Sequence, residues 1–533
     1  MKKWFPLVII IILSLICLWP FFKKGYFESH DGEWMVIRFS AFHQALTSGQ
    51  FPVRFVDRLN NNYGYPVLNF LYPLPFYLAE IPKVLGFSFV DSIKIIFVVS
   101  TVTSSLAMYW ALLQVFSARA SLAGAIVYLF VPYRFVDLYV RGSLGESLAF
   151  AIIPLVAGCI FKIANGSKLF LPLLSISTAS LILSHNVIAI LFLPLFMIIS
   201  LVFKKRERIK VVGSFILGIL ISTFFWLPAL YDLRFVRLSQ IDVSNIADHL
   251  VAPLNLVVPS WGYGPNPNDS SGLSVQFGIV TLAIFLSALY LRRKIKTNNL
   301  TVDISLVISL LIFFLMTKSS LFIWQNLPFI DVIQFPWRLL SLIVFISAFL
   351  AAYVITCAKG KKTVLSLLII SASIISTIVY TKPSAFVNRG EGFYSTNEDS
   401  TAVRDEYLPV WAQEKPANRA NQKIEVIEGD AKIEQVIVKP SFYQASILAS
   451  SESKIRVNTV YFPGWKVTID NSQVPINYQN SLGLINFDLP VGEHTAIIKY
   501  KRSPVHLGSE IISLIALIAT GIFFYFQWRK QNS

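Results

Sequence analysis

The chain has 533 residues, 55% of them hydrophobic and only 14% charged, against about 25% charged in an average soluble domain. So little charge leaves no surface for water, which excludes a soluble globular protein and makes bilayer lipid the solvent for most of the chain. The net charge of +16 does not call for nucleic acid: the lysines and arginines cluster in short links between apolar runs, as the positive-inside rule requires.

Apolar runs of roughly 17–22 residues recur, each close to the ~20 helical residues that cross a ~30 Å hydrocarbon core. In chain order the expected spans are Trp4–Phe22, Ser92–Gln114, Ser121–Pro132, Leu144–Phe161, Leu169–Leu183 and Val187–Phe203, followed by Val211–Tyr231, Val275–Leu291, Val302–Met316, Leu339–Ile355, Val364–Tyr380 and Ile511–Trp528. These predict a polytopic α-helical membrane protein with about twelve transmembrane helices. Trp4–Phe22 is long for a signal-peptide core and lacks a small-x-small cleavage site, so it reads as an uncleaved anchor. The three cysteines, Cys17, Cys159 and Cys357, all fall in apolar runs. They show no disulfide or metal-ligand spacing.

The basic links lie at Arg119, Lys162–Lys168, Lys204–Lys210, Arg292–Lys296, Lys359–Lys362 and Arg529-Lys530. If Phe70–Leu85 does not cross, all of them share a side with Lys2 and Lys3; if it does, all of them change sides. The charge bias therefore selects against a crossing, and Pro66, Pro73, Pro75 and Pro82 would also resist a continuous helix there. The expected segment is a broken helix on or in the external face, with both chain termini cytoplasmic. Three large external regions follow, from Lys23 to Asp91, Asp232 to Ser274 and Lys382 to Gly508. The resulting domains are a transmembrane domain (1–381, with the loop 23–91), a β-rich external domain (382–508) and a final helix with its tail (509–533). In the β-rich part, period-two runs such as Lys432–Val438 and Trp465–Ile469 alternate with turn signals at Pro463-Gly464 and Asp470–Ser472, the pattern of a small β-sandwich.

The first external region carries the densest polar chemistry: His30, Asp31, Glu33, Arg38 and His43, before a Gly49–Pro52 helix stop. Asp31, Met35, Arg38 and Phe42 share one helical face. Asp31 reads either as an N-cap of an interfacial helix or as a functional carboxylate. Further polar residues stand at external span ends: Asp137, Arg141, Glu146, His185 with Asn186, and Gln334 with Arg338. Singly, Arg141 with Glu146 reads as an ion pair, Arg338 as a snorkelling side chain and His185 as a packing histidine. Together they gather ionisable groups at one membrane face, and such groups usually face a cavity or a partner.

Several short motifs then occur in order: His30-Asp31, GQFPVR (Gly49–Arg54), NNYGYP (Asn61–Pro66), FLYPLPFY (Phe70–Tyr77), GSLGE (Gly142–Glu146), Ser184-His185-Asn186, QFPWR (Gln334–Arg338) and FPGW (Phe462–Trp465). This series resembles the YfhO-like bacterial membrane proteins, the group labelled pyruvoyl-tetrahydropterin synthase-related, a label that implies no pterin chemistry. The resemblance implies a GT-C glycosyltransferase fold, an acidic residue in the first external loop and a polyprenyl-phosphate-linked sugar as donor. By position Asp31 matches the loop carboxylate, with Glu33 two residues on as the alternative.

Glycosyl transfer from a lipid phosphate needs a base for the acceptor hydroxyl and cations for the departing phosphate. Asp31 is the candidate base and Glu33 the reserve. Arg38, Arg141 and Arg338 are candidate phosphate partners, with Glu146 beside them, and His30, His43 and His185 are candidates to bind the acceptor or orient the carboxylate. No metal site is assigned, and a divalent cation held by Asp31 with a histidine is left open by so small a ligand set. The expected partners are the bilayer, a polyprenyl-phosphate-linked sugar and an envelope polymer or glycolipid acceptor. The competing readings are a transporter or flippase of lipid-linked saccharides, which calls for midplane sites, and a non-catalytic envelope-assembly scaffold.

Overall fold

The computed structural model describes residues 4–241, 245–295, 299–327, 330–358 and 360–532. Of the positions used above for topology, Lys2, Lys3, Lys296 and Lys359 lie outside the described residues, as do residues 242–244 of the second loop.

Five helices are long and apolar enough to cross a membrane: Phe89–Leu112, Leu144–Ala164, Pro336–Cys357, Lys362–Tyr380 and Pro504–Lys530. Two bent pairs raise the number to seven, Ala118–Leu129 with Pro132–Arg141 (48°) and Lys205–Ile221 with Thr223–Phe235 (64°). The other expected spans fall on shorter helices of 13 to 16 residues, namely Phe5–Cys17, Phe170–Ser184, Asn186–Ser200, Ile279–Lys294 and Leu300–Leu315. At 1.5 Å per residue these reach only about 20–24 Å, so among the described residues five to seven of the twelve expected spans have full length. Local chemistry explains the shortening. Pro20 sits in a 3-10 turn that ends the first segment, and His185 adopts an extended backbone that separates two helices (φ −164°, ψ 112°).

Phe70–Leu85 is broken. A one-turn helix, Val67–Phe70, ends at Leu71, and a second helix runs only from Leu74 to Val84. Eleven residues span about 16 Å, well short of a crossing. Upstream, Gly32–Thr47 forms the longest helix of the first loop.

The C-terminal region holds two antiparallel sheets. Its strands are β3 (Ile424–Glu428), β4 (Ala431–Lys439), β5 (Phe442–Ala449), β6 (Ser453–Val460), β7 (Trp465–Ile469), β8 (Ser472–Val474), β9 (Leu484–Leu489) and β10 (Gly492–Tyr500), after β1 (Tyr26–Phe27) and β2 (Phe386–Val387) nearer the helices. One sheet has the order β4-β5-β10-β7-β8 and the other β3-β6-β9. Alternate residues of both sheets, including Tyr443, Ile447, Ile455, Val467, Phe487 and Ile498, enter a single apolar core, as two facing sheets require. Phe55, Phe70 and Val236 enter the same core from the two long loops. The β-region is thus seated on the loops, and β1 pairing with β2 through Tyr26↔Val387 and Phe27↔Phe386 adds a second seam.

Candidate functional site

The N-terminal end of helix Gly32–Thr47 is held against the turn that follows Arg141. The amides of His30 and Asp31 donate to the carbonyls of Val140 (2.9 Å) and Arg141 (2.8 Å). Gly142 makes this approach possible. Its φ is +64°, and a Cβ there would meet the Gly32 backbone at 2.9 Å and Ser29 Oγ at 2.5 Å. Gly145 plays a similar part, since a Cβ would fall 2.3 Å from the Tyr72 ring and 2.5 Å from the Ser184 carbonyl. The glycines of GSLGE therefore bring together His30-Asp31, the Tyr72 motif and Ser184-His185-Asn186.

Asp31 occupies the N-cap position, but its side chain accepts no capping hydrogen bond. Ser29 Oγ takes the Gly32 amide instead, at 3.2 Å. Among the described residues the Asp31 carboxylate forms no hydrogen bond or ion pair, and it interacts electrostatically with Arg141 and Arg338. Glu33 differs. It accepts from the Arg389 guanidinium and the Tyr394 hydroxyl, each at 3.0 Å, and so ties the loop helix to the segment after Thr381. Of the two carboxylates, Asp31 is the uncommitted one.

Arg141, Glu146, His185 and Arg338 are all buried beside it. Asp137 and Arg141 lie on a π-helical turn, Val136–Arg141, a local widening that recurs at functional sites. Arg141 Nη1 donates to Asp137 Oδ1 at 2.9 Å and to Glu146 Oε2, while its guanidinium lies 4.5 Å from the Trp337 ring centroid. Glu146 Oε2 also accepts from the Tyr133 hydroxyl at 3.1 Å. Arg338 donates to Gln334 Oε1 at 2.8 Å and to the Ile333 carbonyl at 2.9 Å. Its Nε stands 3.9 Å from Glu146 Oε1, and neither atom has a hydrogen-bond partner. His185 Nδ1 accepts the Ile188 amide at 3.3 Å, which leaves the proton of the neutral ring on Nε2. Its ring stacks on Tyr72 at 4.9 Å.

The remaining predicted residues are engaged elsewhere. Arg38 is buried, donates to Thr401 Oγ1 at 3.1 Å and to the Thr401 carbonyl, and works as a strut at the edge of the site, where it interacts electrostatically with Tyr72 and Tyr407. His43 donates to Glu80 Oε2 at 2.8 Å, near the far end of the same helix. His30 Nε2 donates to the Tyr263 carbonyl at 2.8 Å and links the first loop to the second. Sequence reasoning left out Tyr72, Tyr133, Trp337 and Tyr407 as site residues, and noted Asp137 at a span end without giving it a role. Tyr72 and Trp337 lie inside the quoted motifs and Asp137 and Tyr133 shortly before GSLGE; Tyr407, which interacts electrostatically with Asp31 and Arg338, carries no local signal. No group of three or more His, Cys, Asp or Glu among the described residues is placed to hold a metal ion.

An uncharacterised protein of Lactococcus lactis subsp. cremoris is 24% identical over 243 residues, covering 43% of this chain and 39% of that protein. Among solved structures, the mycobacterial arabinofuranosyltransferase AftD superposes with a TM-score of 0.49 at 12% identity, covering 74% of this chain and 28% of that one. The Archaeoglobus fulgidus oligosaccharyltransferase gives 0.43 at 14%, covering 75% and 57%. This chain therefore spans well under two thirds of the length of each. Residues 68–385, from just before FLYPLPFY to just before β2, match the 6-pyruvoyl-tetrahydropterin synthase related domain of membrane proteins, and the chain belongs to that family.

Proposed function

We propose that the protein is a membrane glycosyltransferase that moves a sugar from a polyprenyl-phosphate-linked donor to a glycopolymer or glycolipid acceptor of the cell envelope, on the extracytoplasmic face. The observation that carries this reading is the uncommitted Asp31 carboxylate held next to a buried set of arginines. A helix cap would have been spent on the backbone; this one is available to a ligand.

The charges suit the reaction. Asp137 and Glu146 stand against Arg141, Arg338 and Arg134, which also interacts electrostatically with both carboxylates, and Arg38 lies near Tyr72 and Tyr407 as well, so buried arginines outnumber the carboxylates other than Asp31. When the acceptor hydroxyl attacks the anomeric carbon, the bond from that carbon to the phosphate oxygen breaks and the hydroxyl proton passes to Asp31. The donor is a phosphodiester with one negative charge. The departing phosphate monoester carries up to about two. Asp31 loses one negative charge as the phosphate gains one, so the total charge beside the arginines is constant while it moves towards the leaving group. Fixed guanidinium groups favour that movement because they need no reorganisation. Arg338, with Nε free of hydrogen bonds, is the leading phosphate partner, and Arg141 is held in place by its two carboxylates. The extracytoplasmic assignment is supported by the clustering of basic links away from this face.

The test is transfer by the purified protein in detergent, with polyprenyl-phosphate-linked hexoses and pentoses supplied singly alongside envelope extract. Release of free polyprenyl phosphate, followed by mass spectrometry, is expected for one donor. Release from none of them in the presence of a complete envelope extract would contradict the proposal.

A further inference from the structure

At the opposite end of helix Gly32–Thr47 from Asp31, a cavity of about 350 Å³ opens between that helix, the Asp57–Asn62 turn, the segment Ser395–Lys423 and strand β4 with the turn into β5. This is within the size range of small-ligand sites. Its walls carry Gln44, Asn62, Glu398, Arg419, Lys439 and Tyr443. Its floor is a partly buried pair. Asp57 accepts from the Tyr443 hydroxyl and from the Ser441 amide (2.7 Å). Lys423 Nζ donates to the carbonyls of Asn62 (2.7 Å) and Asn458 (3.0 Å) and lies 5.0 Å from the Tyr443 ring centroid.

The charge of this lining is unlike its surroundings. Residues 382–508 contain as many acidic as basic side chains. The cavity is instead lined by Arg58, Arg419, Lys423 and Lys439 against only Asp57 and Glu398, an excess of two positive charges. Arg58 spends its guanidinium on the carbonyls of Ser395, Asn397 and Ile37 and on Ser40 Oγ, so it holds the wall. Arg419 is 63% exposed and pairs with Glu398 at 2.7 Å, and the exposed Lys439 forms no ion pair among the described residues. Both face solvent: Lys439 is without an ion pair among the described residues, and Arg419 offers the part of its guanidinium that Glu398 does not take. Around them, side-chain amides and a carboxylate offer the paired donors and acceptors that match sugar hydroxyls.

We infer that this cavity binds a polyanionic glycan, a chain of sugar units bearing carboxylate or phosphate groups, and that it holds the acceptor while a neighbouring unit reaches Asp31. The second half of this inference rests on the glycosyltransferase reading. From Asp31 to Ala45, on the cavity wall, is fourteen helical residues, or about 21 Å, a separation that several extended sugar units span; Met35–Phe42 between them are buried, so the chain does not run on the surface of this helix. The two cations act chiefly by drawing the chain in and setting its register, as exposed charges do at other interfaces.

The test uses the full-length protein in detergent and fluorescently labelled oligogalacturonate as the polyanionic probe, with maltohexaose as neutral control and inorganic phosphate as competitor. Wild type is expected to bind oligogalacturonate and not maltohexaose. Arg419→Glu with Lys439→Glu is expected to bind at least tenfold more weakly, and the milder Arg419→Gln with Lys439→Gln to fall between, with unchanged thermal unfolding in both. Asp31→Asn should bind like wild type. No binding, equal binding by the charge-reversed variant, equal binding of maltohexaose, or displacement by phosphate at the same concentration as by unlabelled oligomer would each overturn the site. Normal oligogalacturonate binding by a protein that transfers no sugar would instead leave the cavity standing and remove the transferase reading.

Discussion

The Asp31 amide donates to the Arg141 carbonyl at 2.8 Å, so the free carboxylate of the first loop and the buried arginine of the helical bundle are fixed to each other through the backbone. Gly142 permits the contact. Gly142→Ala places a methyl group 2.9 Å from the Gly32 backbone at φ +64° and should destabilise the protein by more than about 1 kcal/mol. The loop helix should also move away from the bundle. Faster hydrogen exchange at His30 and Asp31 in the variant would report this; unchanged protection would count against the glycine's role.

Glu146 sits between Arg141 and Arg338 with no exposed surface. Glu146→Gln keeps its shape but removes the carboxylate shared by Arg141 and Arg338, leaving Asp137 on Arg141 alone and no ion-pair partner for Arg338. Breaking a buried ionic arrangement from one side costs about 3–5 kcal/mol. Chemical denaturation in mild detergent should show a loss of that order, partly recovered by adding Arg338→Met. A variant as stable as wild type would mean that Glu146 does not balance those arginines.

Asp57 and Lys423 join the first loop to the β-region. Burial pushes the Asp57 carboxyl above the usual carboxylate range, against the opposing pull of Lys423 and the bonds from Tyr443 and Ser441. Burial likewise brings the Lys423 ammonium down to about 8, with Asp57 opposing. Lys423→Met leaves the carboxylate without its counter-charge and should cost about 1–3 kcal/mol. The double variant Asp57→Asn with Lys423→Met should regain most of that loss. Additive losses in a double-mutant cycle would show that the two residues do not interact.

His494 Nδ1 lies 2.6 Å from Asp470 Oδ2 on the surface of the β-region. The hydrogen bond to Asp470 raises the imidazole above its ordinary value, and the same bond lowers the carboxyl. The imidazolium contribution is present below the ordinary histidine range and disappears as pH rises through the raised value. The carboxylate contribution is present above the ordinary aspartate range and disappears as pH falls through the lowered one. The pair is therefore favourable across mildly acidic pH and its effect is small, because both groups meet solvent. The ¹³C-edited titration of His494 should have its midpoint above about 6.5 and shift down in Asp470→Asn; an unmoved midpoint would contradict the assignment.

Much of this arrangement was legible because its signals are local. Four prolines in and just before Phe70–Leu85, together with the charge count, indicated a broken segment, and the helix there stops after eleven residues. Asp31 stood in a short motif of the first loop, Arg141 next to GSLGE, and Glu146, His185 and Arg338 within motifs at span ends, and they are brought together. Span lengths were less legible, since apolar composition continues through the kinks after Leu129 and Ile221. The partners of Glu33 and Arg38 could not be read at all. Tyr394 and Thr401 lie 361 and 363 residues away in sequence, and no period or spacing records a contact at that range. That is why Glu33 and Arg38 looked chemical from the sequence and serve as ties to the C-terminal region. Asp57 and Lys423 were missed for the same reason.

The most direct test of the central claim is the sugar composition of envelope polymers from a strain lacking this protein, complemented with either wild type or Asp31→Asn. One sugar should be missing without the protein, restored by wild type and still missing with Asp31→Asn, although the variant reaches the membrane in equal amount and unfolds at the same temperature. Full restoration by Asp31→Asn would contradict the account, because the carboxylate that caps nothing would then also transfer nothing.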